Sequence, residues 1–338
     1  MTQYTPERIE LQNDDWQSIL AQAVRSPREL LELLGLQSSG LAQQLHVDKA
    51  FGVLVPRTYI ALMQHGDEND PLLRQVLSVQ DEQLEVAGYT KDPLGELETN
   101  VQPGVIHKYH GRLLLVVAGG CAVNCRYCFR RHFPYGDNAV GRKQWQASLD
   151  YVAQDASISE VILSGGDPLL ISDEALADLL AQIEAIPHVQ RLRIHSRLPV
   201  VIAQRLTDRR IRMLASSRQQ VSMVLHINHA RELSASHRPY LEACRQAGIS
   251  LLNQSVLLKG VNDDEQQLCQ LSETLFAYGI LPYYLHQLDR VQGAQHFAVS
   301  DERMRVLYRY MLDHLPGYLV PRLAREEAGR TSKTLIKL

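Results

Sequence analysis

The sequence predicts an α/β fold: a partial (β/α)6 barrel of TIM-like form, with an N-terminal helical region and a short C-terminal tail. Three observations lead there. Leu113-Leu114-Leu115-Val116-Val117 is an uninterrupted apolar run, the pattern of a parallel strand covered on both faces. Further strand-like segments follow it at intervals that leave room for a helix and a loop. Polar residues gather where those strands end, as they do at the C-terminal face of a barrel.

Taken in order, residues 1–100 read as short helices. Trp16, Ile19, Leu20 and Ala23 share one helical face. Pro27-Arg28-Glu29-Leu30 reads as a helix start, with proline near the first position and an acid in the first turn. Another helix is expected near Pro56 to Ile60, and Asp92-Pro93-Leu94-Gly95 breaks the pattern. This region is either a layer on the barrel or a separate binding module. The barrel is expected over 101–320 and the tail over 321–338. Strands are expected at Glu160–Leu163, Arg191–His195, Val221–His226, Leu251–Leu257 and Leu281–Leu285. Helices are expected at about 144–155, 173–186, 207–216, 236–247 and 264–278, the last opened by a capping box of Asn262 and Glu265. A doubly wound sheet gives the same alternation. The number of units and the spread of polar strand ends favour the open barrel.

The chain has 338 residues, 45 % of them hydrophobic, enough for a substantial core. A formal net charge of −3 gives no argument for nucleic-acid binding. The opening M-T-Q-Y-T-P-E-R-I-E carries acids and no apolar run, unlike a secretory signal. No apolar stretch approaches the ~20 residues that span a bilayer. Five cysteines without small-domain disulfide density suggest a reducing, cytoplasmic interior.

Cys121, Cys125 and Cys128 form C-x3-C-x2-C, three thiolates with no local fourth ligand. Iron–sulfur and structural zinc motifs usually supply four. Three would leave a 4Fe–4S cluster with one iron open to an outside ligand, which points to an enzyme. The competing reading is zinc completed by a histidine such as His132. Cys244 and Cys269 lie in helical patterns and read as small core side chains. Ser164-Gly165-Gly166-Asp167-Pro168-Leu169 sits at a strand-to-loop transition, where adjacent glycines permit close backbone approach. Tyr109 and Arg112 precede the first strand and Arg130 follows the cysteines. A guanidinium fork suits phosphate or carboxylate. Lys333 follows Gly329-Arg330-Thr331-Ser332 and reads either as a tail residue or as a Schiff-base lysine for pyridoxal phosphate.

The cysteine run resembles that of the radical S-adenosylmethionine superfamily. The resemblance narrows to the lysine 2,3-aminomutase family over roughly residues 90–338. It is carried by Asp92-Pro93-Leu94, Tyr109 with Arg112, Cys128-Phe129-Arg130-Arg131, Ser164 to Leu169, Asn253-Gln254-Ser255-Val256-Leu257-Leu258, Gly260-Val261-Asn262-Asp263, Tyr283 to Asp289, and Lys333. The resemblance implies a 4Fe–4S cluster on Cys121, Cys125 and Cys128, with S-adenosylmethionine on its open iron. Ser164, Gly165, Gly166, Asp167 and Gln254 would line the adenosylmethionine site. Lys333 would carry pyridoxal 5′-phosphate, contacted by Tyr109 and Arg112. Arg130 would clamp the α-carboxylate of free L-lysine and Asp289 its distal ammonium. The implied reaction is a radical 1,2-amino shift giving β-lysine.

Two departures stand out. The clostridial enzymes carry a second acid and a glycine run before the cofactor lysine, where this chain has Glu326-Glu327-Ala328-Gly329-Arg330. Glu326 is expected to replace that acid. The chain also ends five residues after Lys333. Both features resemble the shorter bacterial branch that makes (R)-β-lysine for elongation factor P and its lysyl-transferring ligase, with flavodoxin as a typical reductant. The readings set against this are a radical aminomutase acting on glutamate or another amino acid, and a zinc-binding protein of translation. No nucleic-acid or membrane partner is expected.

Overall fold

The computed structural model describes residues 15–48, 50–138 and 145–338. The opening decapeptide weighed as a leader lies outside them, as does residue 144. Ten strands form one open sheet in chain order. They are β1 (Asn100–Gln102), β2 (Val105–Tyr109), β3 (Arg112–Ala118), β4 (Glu160–Gly165), β5 (Arg191–Ser196), β6 (Gln220–Leu225), β7 (Ser250–Leu257), β8 (Leu281–Gln287), β9 (Arg322–Arg325) and β10 (Thr334–Leu335). From β3 to β9 each strand pairs with the next in parallel. The β1–β2, β2–β3 and β9–β10 pairs are antiparallel. The six expected units are present, and β9 adds a seventh parallel strand inside the stretch read as tail. Its four residues include two arginines and show no apolar run, so only pairing with β8 makes it a strand.

Six longer helices, Trp145–Gln154, Asp173–Glu184, Asp208–Ala215, Arg238–Gln246, Glu265–Ala277 and Asp301–His314, follow β3 to β8 in turn. Side chains cap four of them at the N-terminus: Ser172, Thr207, Asp264 and Ser300. The cap expected at Asn262 is thus Asp264, which accepts from the amides of Gln266 and Gln267 at 3.0 Å each. Asn262 is buried instead. It accepts from Leu258 N and donates to Asn228 O and Val256 O, pinning the loop after β7. Among the described residues no helix is long and apolar enough to cross a membrane.

The N-terminal helices are short: Trp16–Ala21, Pro27–Leu33, Gly40–Gln43, Arg57–Ile60 and Pro71–Arg74. Such lengths are marginal alone, so packing must hold them. Leu30, Leu31, Tyr59, Leu72 and Leu73 are buried in one continuous core with Leu113, Leu163, Ile194 and Leu225 of the barrel. The same layer grips the cysteine loop. Asn124 N donates to Leu54 O at 3.1 Å and Arg126 N to Gln75 O at 2.8 Å. The Arg126 side chain, 0 % exposed, pairs with Glu82 and donates to Phe51 O at 2.7 Å. Arg131 shares the same carboxylate at 2.6 Å.

Removing Glu82 would leave Arg126 a buried charge without its carboxylate. Glu82→Ala should therefore lower the unfolding free energy by roughly 3–5 kcal/mol in urea denaturation. Glu29→Ala, which breaks the exposed pair with Arg57, should cost less than about 1 kcal/mol.

Candidate active site

A cavity of about 580 Å³ runs through the barrel lumen, and every site residue that the family resemblance implied lines it, whereas His132 does not. The cysteines enter from the loop after β3, and the amide of Cys128 closes a turn onto Cys125 O at 3.0 Å. All three thiols are free. Burial pushes the Cys128 thiol up to about 11, with the neighbouring Cys125 adding to it, and burial raises Cys121 as well, with Cys128 and Asp167 adding to it. Thiolates here need positive charge beside them. Among the described residues no three His, Cys, Asp or Glu side chains close around a single ion. His132 turns away to contact Gln292 O at 3.0 Å. Three soft sulfur donors on one cavity wall suit an iron–sulfur cluster, whose irons each take one thiolate.

Gly165 and Gly166 have a part in the fold itself. A Cβ on Gly166 would lie 2.0 Å from Gly120 O, and one on Gly165 would lie 2.5 Å from Ala118 O, at a φ of +119°. Gly166 N and Asp167 N then donate to Ala118 O and Gly120 O, each at 2.7 Å. The missing side chains let β4 staple the start of the cysteine loop by backbone alone. The Asp167 carboxylate accepts from Ser196 Oγ, Arg197 N, Leu198 N and Leu169 N, so its oxygens are spent within the chain. Ser164 Oγ accepts from Arg130 Nη1 at 3.0 Å. Gln254 Nε2 lies 2.9 Å from His226 Nε2.

Charges of alternating sign cross the cavity mouth. Arg130 grips Glu96 through Nε at 2.6 Å and Nη2 at 2.8 Å. Glu96 faces Lys108 Nζ at 3.5 Å, and Lys108 faces Glu326 at 3.3 Å. Glu326 then holds Lys333 Nζ at 2.5 Å and accepts from the Tyr109 hydroxyl at 3.0 Å. A guanidinium has five N–H groups. Glu96 and Ser164 engage three on Arg130, leaving two for a ligand. Burial works to raise the Glu326 carboxyl, but the Lys333 and Lys108 ammoniums override it and hold the group well below the usual carboxylate range.

Asp289 differs from these. No hydrogen bond or ion pair joins its carboxylate to a described side chain. Burial, reinforced by the negative Glu326, pushes it up to about 7. Arg112 stacks over the Tyr109 ring at 4.8 Å and makes no ion pair with a described residue. Burial also lowers His226 and His286 to about 3, with cationic neighbours contributing, so both rings are neutral near pH 7.

Comparison with known proteins agrees with this geometry. A model of the radical SAM superfamily matches residues 115–271, from β3 into the helix after β7. The L-lysine 2,3-aminomutase of Escherichia coli is 50 % identical over 100 % of this chain and 97 % of its own length. The chain belongs to the lysine 2,3-aminomutase family. The L-lysine 2,3-aminomutase of Haemophilus influenzae is 48 % identical, covering 97 % of each chain. That of Clostridium subterminale is 32 % identical over 95 % of this chain and 77 % of its own length.

Within this lysine 2,3-aminomutase site, sequence reasoning missed Glu96 and Lys108 as functional candidates. Glu96 had a readable signal. It ends the Asp92-Pro93-Leu94-Gly95 turn, where Asp92 accepts from Glu96 N and Leu97 N and Gly95 has a φ of +60°. Lys108 stands beside Tyr109 on β2, and its ion pair with Glu326 depends on the distant tail.

Because Glu326 contributes to the raised Asp289 pKa, Glu326→Gln should lower it. Carbon NMR of selectively labelled aspartate should place the Asp289 titration near pH 7 in the wild type and at lower pH in the variant.

Proposed function

We propose that this protein moves the α-amino group of free L-lysine to the β carbon, giving β-lysine. The observation that carries the reading is Asp289, a carboxylate without a partner among the described side chains, in a cavity where Glu96 and Glu326 are matched to cations and Asp167 to backbone amides and a hydroxyl. It offers a seat for a distal ammonium, with Glu326 nearby as the second acid. The two unused N–H groups of Arg130 offer the opposite seat, for the α-carboxylate. Binding at both ends would fix which β hydrogen faces the reacting centre, an advantage of orientation rather than of new chemistry.

Cys121, Cys125 and Cys128 would hold the 4Fe–4S cluster, and the loop from Ser164 to Asp167, with Gln254, would border S-adenosylmethionine. Lys333 would carry pyridoxal phosphate, with Arg112 free to meet its phosphate and Tyr109 beside it. When bound, the cluster and adenosylmethionine supply radical removal of hydrogen from the β carbon, and pyridoxal phosphate supplies the π system through which nitrogen migrates. The chain's own residues do the rest. Lys108 and Tyr109 keep Glu326 ionised once Lys333 gives up its ammonium. Neutral His226 and His286 add no charge that would repel a cationic substrate. A glutamate substrate would set a carboxylate against Asp289 and Glu326, which favours lysine. The reading extends to a role in supplying β-lysine for elongation factor P, with a flavodoxin-class reductant.

Anaerobic incubation with reductant, adenosylmethionine and lysine, glutamate, arginine or ornithine tests the substrate. β-Lysine should form from lysine, and a reconstituted enzyme that yields none would overturn the proposal. Asp289 must be ionised to hold an ammonium, so protonation below its raised pKa weakens binding. The kcat/KM for lysine should rise about tenfold from pH 6 to pH 8, and Asp289→Asn should remove that dependence along with most of the activity. Lys333→Ala should lose the visible absorbance of lysine-bound pyridoxal phosphate yet keep iron and sulfide. Cys125→Ala should do the reverse.

A further inference from the structure

Arg197, just past the end of β5, belongs to none of the roles above. Its residue is 4 % exposed, and its guanidinium joins three parts of the molecule. Nη1 donates to Cys125 Sγ at 2.8 Å and to the Tyr127 hydroxyl at 2.6 Å. Nη2 donates to the Tyr59 hydroxyl at 3.0 Å, to Gln75 Oε1 at 2.8 Å and to Glu232 Oε2 at 2.8 Å. Its backbone amide is held by Asp167 at 2.8 Å. Among the described residues no other cationic side chain hydrogen-bonds a cysteine sulfur. The N-terminal layer, through Tyr59 and Gln75, thus fixes a permanent positive charge against one thiolate of the three.

An N–H···S bond from a cation favours the more electron-rich sulfur, and so favours the reduced form of a cluster attached to it. We propose that Arg197 is a positioning residue that sets how readily the cluster takes up an electron, with Glu232 offsetting part of its charge. One electron passes from a low-potential one-electron donor, dithionite in the test, to the cluster; no bond forms or breaks and no proton moves. The inference rests on the three cysteines holding a cluster, a reading whose own failure shows separately as reconstituted wild-type protein without iron and sulfide.

The test is a redox titration of the reconstituted protein followed by electron paramagnetic resonance, without adenosylmethionine or substrate. Arg197→Gln should move the midpoint to more negative potential. At a fixed potential the ratio of reduced to oxidised cluster should fall about tenfold, equivalent to about 59 mV for one electron. Glu232→Gln keeps the size of the side chain and one oxygen to accept from Gln75 and the amides of Asn228 and His229, and should move the midpoint the opposite way. Arg197→Lys keeps the charge without the fork and should fall between wild type and Arg197→Gln. If Arg197→Gln fails to hold a cluster, the other two variants decide. Unshifted midpoints, or shifts of the same sign at 197 and 232, overturn the proposal.

Discussion

The barrel is an open sheet, and side-chain charge bridges the gap between its edges. β2 lies beside one edge and β9 beside the other, and no backbone ladder joins them. Lys108 and Tyr109 from β2 reach Glu326 just after β9. Glu96 and Arg130 extend the row on one side and Lys333 on the other. Each charge has an opposite neighbour, which is the condition under which half-buried ions are tolerated. The arrangement also places a guanidinium, two acids and a lysine amine around one lumen. Under the proposed function, closure and recognition would draw on the same side chains.

A second constraint acts at the other end of the cavity. A radical centre requires a dry, fixed site. The cysteine loop has little regular structure of its own, and its geometry is imposed from two sides. From beneath, the glycines of β4 bring backbone against backbone. From outside, the N-terminal layer supplies carbonyls to Asn124 and Arg126 and a carboxylate to Arg126 and Arg131. This is what the short helices contribute: they cannot stand alone, but sharing a core with the barrel lets them hold the loop in place.

Much of this was legible in the sequence, and the limits have physical causes. The strands from β4 to β8 and the helices between them follow from apolar runs and helical spacing, which are local. β9 was not legible, because Arg322–Arg325 becomes a strand only by pairing with β8. The cap at Asp264 and the buried role of Asn262 differ by two positions, a distinction that turns on tertiary burial. The cysteines stood out by motif and Lys333 by family resemblance. Glu96 and Lys108 did not stand out, since an acid or base acquires its role from partners dozens of residues away. The raised pKa of Asp289 is likewise a property of its surroundings.

Lys333 rides on the last and shortest rung of the sheet. β10 is two residues long, and its register against β9, Thr334 opposite Arg325, sets where the amine points. During synthesis the cysteine loop and its supporting layer leave the ribosome before this rung does. The half of the molecule that would generate a radical is thus synthesised before the residue that would give the radical work to do. The order is written into the chain, and of the cavity residues discussed above Lys333 is the last to be synthesised.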